Sequence, residues 1–250
     1  MVSGDAWGWF LAWAFVAEVI GTMAGFGAAT VLTPVAILFM DAKTAVAVVA
    51  CFHLFGNASR LRFFGRHVRW AIWWQFGLVG IVFSVLGAAL TAHLASAMIT
   101  LLVGLFLLGY TTADVAGAGR RSLPQTRWTL AGGGMASGLI AGLIGTGGAI
   151  RSACLLAFGL PRDVYIGTSA AIALVVDATR LPVYLHAGLV PDSMWPVVGG
   201  LLVVAFAGAW VGQHLVRRIS ADAFHRLVLL LLIVMGAKLT WDGWHQLLAQ

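Results

Sequence analysis

The sequence predicts an all-α polytopic membrane protein made of two inverted repeats, each one glycine-tipped helical hairpin plus three transmembrane helices. Three observations predict it. Hydrophobic residues make up 61% of the 250 residues and charged residues only 10%, where an ordinary soluble domain carries about 25% charged residues. Long charge-poor runs recur along the chain, and the mean hydropathy is +0.96. A shift of 120 residues lays the motifs of one half on those of the other, Asn57 falling on Asp177.

So few charges cannot cover the surface of a water-soluble globule of this size. Composition excludes a disordered, collagen-like or disulfide-stapled chain as well. The two cysteines, Cys51 and Cys154, sit inside apolar runs. The net charge of +6 comes from basic residues in short breaks between runs, the footprint of membrane orientation. No basic stripe with interleaved aromatics marks a nucleic-acid groove, so no nucleic-acid partner is expected. The stretch from Met1 to Asp5 is acidic rather than basic, and no cleaved signal peptide is expected.

Ten apolar segments follow in order, near 6–24, 28–40, 43–64, 70–93, 97–116, 128–145, 149–160, 164–186, 194–216 and 223–248. A spanning helix needs about 20 residues. Segments 28–40 and 149–160 are too short. Each follows an uncharged glycine-rich tip, Gly25-Phe26-Gly27-Ala28 in one case and Gly145-Thr146-Gly147-Gly148 in the other. A short helix after such a tip predicts a hairpin that turns inside the membrane, where irregular backbone must be buried in protein or line a cavity. Re-entrant hairpins and full spans preserve the same parity, so charge alone does not separate them. Trp7, Trp9, Trp70, Trp73, Trp74 and Trp195 flank the segment boundaries as interface anchors, and His93, His186 and His214 lie at segment ends.

The charges between segments set the orientation. Arg62, Arg66 and Arg69, then Arg120, Arg121 and Arg127, then Arg162, then Arg217 and Arg218 fall on one side if each hairpin enters and leaves by one face. Asp5, Asp41, Lys43, Asp192 and Asp242 fall on the other. The arginine-rich side is expected to be cytoplasmic, with both termini outside the cytoplasm.

The repeat divides the chain into a first unit over 1–116, a basic cytoplasmic linker over 117–127 and a second unit over 128–250. Asn57-Ala58-Ser59-Arg60-Leu61 falls on Asp177-Ala178-Thr179-Arg180-Leu181, while Gly25 and Gly27 fall on Gly145 and Gly147. Three full spans per repeat is an odd number, so the second repeat is expected to be upside down relative to the first. Such repeats build secondary transporters with a site at their interface near the midplane. Glycines four apart, at Gly21 and Gly25, Gly134, Gly138 and Gly142, and Gly208 and Gly212, permit close helix approach, and helix packing alone accounts for them.

A charged side chain at the centre of a membrane helix costs about 2.5–3.5 kcal/mol on insertion scales, so each one calls for a reason. Arg151 lies four residues after Gly147, and its repeat counterpart is Val31. The short helices that start near Ala28 and Ala149 aim free backbone N–H groups and positive dipole ends at the membrane centre. With Gly25, Gly27, Gly145, Gly147 and Gly148 they offer a concave anion nest, and Arg151 adds a guanidinium suited to an oxyanion. The competing reading pairs Arg151 with a buried carboxylate, Glu18 or Asp177. Asp177 and Arg180 share a helix face and read first as a structural ion pair. With Ser169, Ala173 and Tyr184 they form a polar stripe, repeated by His53, Asn57 and Arg60. Arg60 has only the neutral Asn57 as counterpart and is expected to snorkel to water. Glu18 and His53 are candidate proton carriers, with hydrogen-bonded structural roles as the alternative. No set of His, Cys and Asp residues suggests a metal, and no cofactor is expected.

Gly145-Thr146-Gly147-Gly148-Ala149-Ile150-Arg151-Ser152, with Leu160-Pro161 and Gly167-Thr168-Ser169-Ala170 after it, resembles the sulfite exporter TauE/SafE family of membrane transporters. Gly21-Thr22-Met23-Ala24-Gly25-Phe26-Gly27, with Pro34 after it, resembles the N-terminal repeat of the same family. The first tip lacks the family's triple glycine, and Cys154 stands where its proline is common. The resemblance implies a carrier of the bacterial inner membrane for sulfite, sulfoacetate or a related organosulfonate. On this reading Arg151 binds the anionic head, with the tip backbone from Gly25 to Ala28 and from Gly145 to Ala149. Thr168 and Ser169 add hydroxyls. The expected partners are a small anion, protons as a coupling ion and the lipid bilayer, with the oligomeric state open. A passive anion channel is the alternative. An intramembrane enzyme is not expected, because Gly167-Thr168-Ser169-Ala170 lacks a serine-protease setting and only Asp177 is a deep aspartate.

Overall fold

The computed structural model describes residues 4–24, 27–117, 123–215 and 221–249. Within them the chain forms helices and no strand. The helices are α1 (Gly4–Ala24), α2 (Ala29–Ala36), α3 (Ala42–Phe64), α4 (Trp70–His93), α5 (Ser96–Val115), α6 (Arg127–Ile144), α7 (Gly148–Leu156), α8 (Arg162–His186), α9 (Trp195–Leu215) and α10 (Ala221–Leu248). Each of the ten apolar segments becomes one helix. Seven of them (α1, α3, α4, α5, α8, α9 and α10) are long and apolar enough to cross a membrane. Arg127 and the glycines of α6 leave it below them in hydropathy. The chain is thus a multi-pass membrane protein. Gly25, Arg120, Arg121, Arg217 and Arg218 lie outside the described residues.

Local chemistry sets several boundaries. The Asp41 carboxylate accepts from the N–H groups of Lys43, at 3.0 Å, and Thr44, at 3.5 Å, capping α3. Thr126 Oγ1 accepts from Thr129 N–H at 3.2 Å and caps α6. α6 stops at Gly145, whose φ of 80° is the left-handed stop that favours glycine. In α4 a single π turn at Trp73–Gly77 joins Trp70–Ile72 to Leu78–His93.

α3 and α8 form the centre. Their best spanning stretches are each 67% buried, against 33–39% for the other five. α3 packs on α8, α4 along α6, α1 along α9, and α5 along α10; α9 also touches α3, and α4 touches α8. If α1 to α5 are exchanged with α6 to α10 in order, this set of pairings maps onto itself.

Glycines allow the closest approaches. A Cβ on Gly134, Gly138 or Gly142 of α6 would strike the carbonyl oxygen of Phe76, Gly80 or Ser84 in α4. Gly208 and Gly212 of α9 meet α1 in the same way, at Glu18 and Thr22. These glycines pack helices. The outer faces carry exposed Val82, Leu86, Leu90, Val203, Phe206, Leu227 and Leu230, a surface suited to lipid. Trp9, Trp70, Trp74 and Trp195 are exposed at helix ends, while Trp7 and Trp73 are half-buried. His93, His186 and His214 are exposed.

Two hydrogen bonds gather basic residues at one end of the bundle. Arg69 N–H donates to Thr168 Oγ1 at 2.9 Å, and Gln125 Nε2 donates to the Ala157 carbonyl at 3.0 Å. The α3–α4 loop, the start of α6 and the α7–α8 turn therefore lie together, with Arg62, Arg66, Arg69, Arg127 and Arg162 at that end.

Candidate functional site

The second glycine tip meets the first turn of α2. Thr146 Oγ1 in the second tip donates to Thr30 Oγ1 in α2 at 2.9 Å. Gly27 has φ of 93°, and Ala28 supplies the first carbonyl of α2. A Cβ on Gly21 would collide with the Ala28 backbone, so the first tip folds tightly against α1. In the second tip Gly147 supplies the first carbonyl of α7, and the same oxygen accepts from Ser137 Oγ at 2.8 Å. Gly148 and Ala149 open α7 and are buried. Among the described residues no side chain caps α2 or α7; Val31 N–H bonds the Ala28 carbonyl at 3.1 Å, and the N–H groups before it in α2 and those of Gly148, Ala149 and Ile150 in α7 remain available to another acceptor. Thr33 Oγ1 is buried without a hydrogen-bond partner among the described residues, 3.2 Å from where a Cβ on Gly145 would stand.

Arg151 lies in the first turn of α7 and is 3% exposed. Its Nε donates to Ser169 Oγ on α8 at 2.9 Å. Thr168, one residue earlier, turns its hydroxyl oxygen to Arg69 N–H instead. Tyr165 donates to Ser152 Oγ at 2.7 Å beside them. Among the described residues Arg151 makes no ion pair. The two carboxylates weighed as its partners are held by other groups.

Asp177 is one of those carboxylates. Its Oδ1 accepts from Arg180 Nε at 3.0 Å and Nη2 at 2.7 Å. Its Oδ2 accepts from His53 Nδ1 at 2.8 Å and Asn57 Nδ2 at 3.0 Å, both on α3. The Asp177–Arg180 ion pair is therefore present, and it also ties α8 to α3. Arg180 Nη1 reaches the Ala141 carbonyl, and Tyr184 donates to the Gly142 carbonyl, both on α6.

Glu18 is the other. Arg60 Nη2 pairs with Glu18 Oε1, Arg60 Nε donates to Thr22 Oγ1 at 3.1 Å, and Arg60 Nη1 donates to Asn57 Oδ1 at 2.9 Å. Thr22 in turn donates to Glu18 Oε1 at 3.3 Å. The expectation that Arg60 snorkels to water is corrected: it is 4% exposed and satisfied inside the protein. A carboxylate on the neighbouring helix α1 removes the reason to reach solvent, since a paired charge no longer needs water.

The cluster has a definite balance. Arg151 lies in the electrostatic field of Asp177, Arg60 and Arg180. Three guanidiniums face two carboxylates, Glu18 and Asp177, and both carboxylates are ion-paired to Arg60 and Arg180. The excess positive charge rests on Arg151. Among the described residues no group of three His, Cys, Asp or Glu side chains is placed to hold a metal.

Reading the sequence missed Thr30 and Thr33. Their repeat counterparts are Ile150 and Ala153, while Arg151 falls on Val31. Polar residues present in one short helix and absent at the matched position of the other were the available signal.

No curated protein and no solved structure matches the chain. The family model for the sulfite exporter TauE/SafE matches residues 10–239, which takes in both tips, Arg151 and the paired stripes of α3 and α8. The chain therefore belongs to the sulfite exporter TauE/SafE family of membrane transporters.

Proposed function

We propose that the chain is a secondary transporter that carries a small sulfur-containing anion, such as sulfite, sulfoacetate or a related organosulfonate, across the bacterial inner membrane. The observation that carries this reading is Arg151, a buried guanidinium without a carboxylate partner among the described residues, in the first turn of an uncapped helix. A cation in low dielectric calls for an anion, and the free N–H groups of α2 and α7 add donors of the matching sign. The anion sits between the two tips, with the backbone at Gly27, Ala28, Gly145, Gly147, Gly148 and Ala149 around it. Ser169 both steadies Arg151 and keeps its own O–H free to donate to the anion.

The two units work as inverted repeats that rock about this site to give alternating access. The exchange-symmetric helix pairings and the meeting of the second tip with α2 support that reading. The end that gathers Arg62, Arg66, Arg69, Arg127 and Arg162 is cytoplasmic, which leaves both termini outside.

The test is thermal unfolding of the purified protein with sulfite, sulfate, thiosulfate, sulfoacetate, taurine or acetate. A ligand at about 100 times its Kd stabilises the folded state by about 2.7 kcal/mol. One sulfur anion is expected to raise the melting temperature selectively. Arg151→Gln removes a charge-assisted contact of about 1.5–3 kcal/mol, so its affinity is expected to fall about 10- to 100-fold. Unchanged binding or transport by Arg151→Gln overturns the site. In proteoliposomes a carrier accumulates the anion against its gradient, whereas a passive channel only equilibrates it.

A further inference from the structure

His53 is buried in the middle of α3, 4% exposed, with its two ring nitrogens in different situations. Nδ1 lies 2.8 Å from Asp177 Oδ2. That carboxylate accepts two bonds from the Arg180 guanidinium, and an ionised carboxylate 2.8 Å from Nδ1 calls for the hydrogen on Nδ1; Asn57 Nδ2, 3.2 Å from Nδ1, then donates to Asp177 Oδ2 instead. The neutral ring then leaves Nε2 as a bare lone pair. Nε2 is buried and has no partner among the described residues. It faces the first tip: a Cβ on Gly27 would stand 2.5 Å from it. The bare Cα of Gly27, at φ of 93°, lets the tip backbone pack beside Nε2 where any side chain would strike it.

We propose that His53 Nε2 is the proton-binding site of this carrier, filled together with the anion. The inference rests on the anion site proposed at Arg151. Its chemistry is one reversible proton transfer: the Nε2 lone pair takes the proton, and the imidazolium keeps its Nδ1–H on Asp177 until Nε2 releases it. The surrounding charges favour His53 over Glu18. His53 has the Asp177 carboxylate of α8 behind it, with Arg151 of α7 and Arg60 of its own helix farther out. α2, which begins beside Nε2, has no titratable residue. Glu18, from α1, has the Arg60 guanidinium and the Thr22 hydroxyl on one oxygen, and that cation opposes its protonation. The balance of the cluster gives the proton a purpose. A monoanion neutralises the excess charge of Arg151; a dianion brings a second negative charge, which an imidazolium at His53 offsets.

Two measurements test this on the full purified chain. The first is NMR of isotope-labelled histidine in micelles, with H53Q identifying the His53 signal and H53N as a second variant should H53Q not fold. The His53 Nε2 resonance is expected to shift as the ring takes up a proton when the pH is lowered, and sulfite is expected to move that transition to higher pH. A His53 ring that stays neutral at every pH the folded protein withstands, with or without sulfite, overturns the proposal whatever the transported anion is. The second measurement is the number of protons moved per anion in proteoliposomes, read with a trapped pH dye and labelled sulfite. The wild type is expected to move one proton per anion, and H53Q none on whatever flux remains. Sulfite transport by the wild type without proton movement, or unchanged coupling in H53Q, overturns the proton site and leaves the anion site standing. A wild type that carries no sulfur anion overturns the anion reading, and the titration alone then decides His53.

Discussion

Asp177→Ala is expected to destabilise the folded protein by about 3–5 kcal/mol, the cost of removing one partner from a buried ion pair. Four hydrogen bonds end on this carboxylate: two from Arg180, one from His53 and one from Asn57. Alanine removes all four acceptors and leaves Arg180, 1% exposed, as an uncompensated cation at the centre of the bundle. The contacts to His53 and Asn57 also join α8 to α3, so the change loosens the two central helices from each other. Asp177→Ala/Arg180→Met, which removes both charges, is expected to recover most of the loss, because a missing pair is tolerated better than half of one. Asp242→Ala is the contrast. It breaks the Lys238–Asp242 pair, which is 2.5 Å long but partly exposed at 51% and 31%, and pairs of that kind contribute about 0.3–0.5 kcal/mol. Denaturant unfolding of the three variants in one detergent measures the ranking. If Asp177→Ala is as stable as Asp242→Ala, the central ion pair does not hold the bundle.

Substitutions on α6 are expected to change sign within two turns. At Gly138 a Cβ would meet the Gly80 backbone, with Cα at 2.8 Å and the carbonyl carbon at 2.9 Å. At Gly142 it would meet Ala88 N at 2.7 Å and the Ser84 carbonyl carbon at 2.9 Å. Main chain cannot rotate away as a flexible side chain can, so α4 must move off α6. Overpacking of this kind costs about 1–3 kcal/mol, and Gly138→Ala and Gly142→Ala are each expected to lose that much. Gly132 lies on the same helix with nothing within 4 Å of a built Cβ. There alanine only relieves the conformational entropy of glycine in a helix, and Gly132→Ala is expected to gain about 0.5–1 kcal/mol. Thermal melts of the three single variants decide the matter. Loss at Gly132, or no loss at Gly138 and Gly142, contradicts the α4–α6 contact.

The ten apolar segments were legible because length and composition alone decide which stretches leave water. The short helices after the glycine tips were legible for the same reason, being too few residues to span. Arg60 was misread. Its neighbours in sequence and its repeat counterpart supplied only Asn57, whereas its carboxylate, Glu18, stands 42 residues away on α1. The His53–Asp177 contact, 124 residues apart, likewise leaves no trace in local spacing. Thr168 and Ser169 are adjacent in sequence and were read together. They part in space because neighbouring residues on a helix do not share a face: Ser169 turns to Arg151 and Thr168 to Arg69.

The sequence by itself determined that this protein lies in a membrane, that each of its ten apolar segments carries one helix, and that its polar residues gather at two glycine tips and two central stripes. Only the tertiary structure decided which charge meets which. In water a helix declares its inner face by an apolar stripe. In a bilayer the lipid is as apolar as the protein interior, so the outward side of a helix looks much like its inward side. The rotation of each helix about its axis is then set by glycine contacts and by partners on other helices, and those are not written in any single segment. That rotation places Glu18 under Arg60 and Asp177 between His53 and Arg180, and it leaves Arg151 without a carboxylate partner among the described residues.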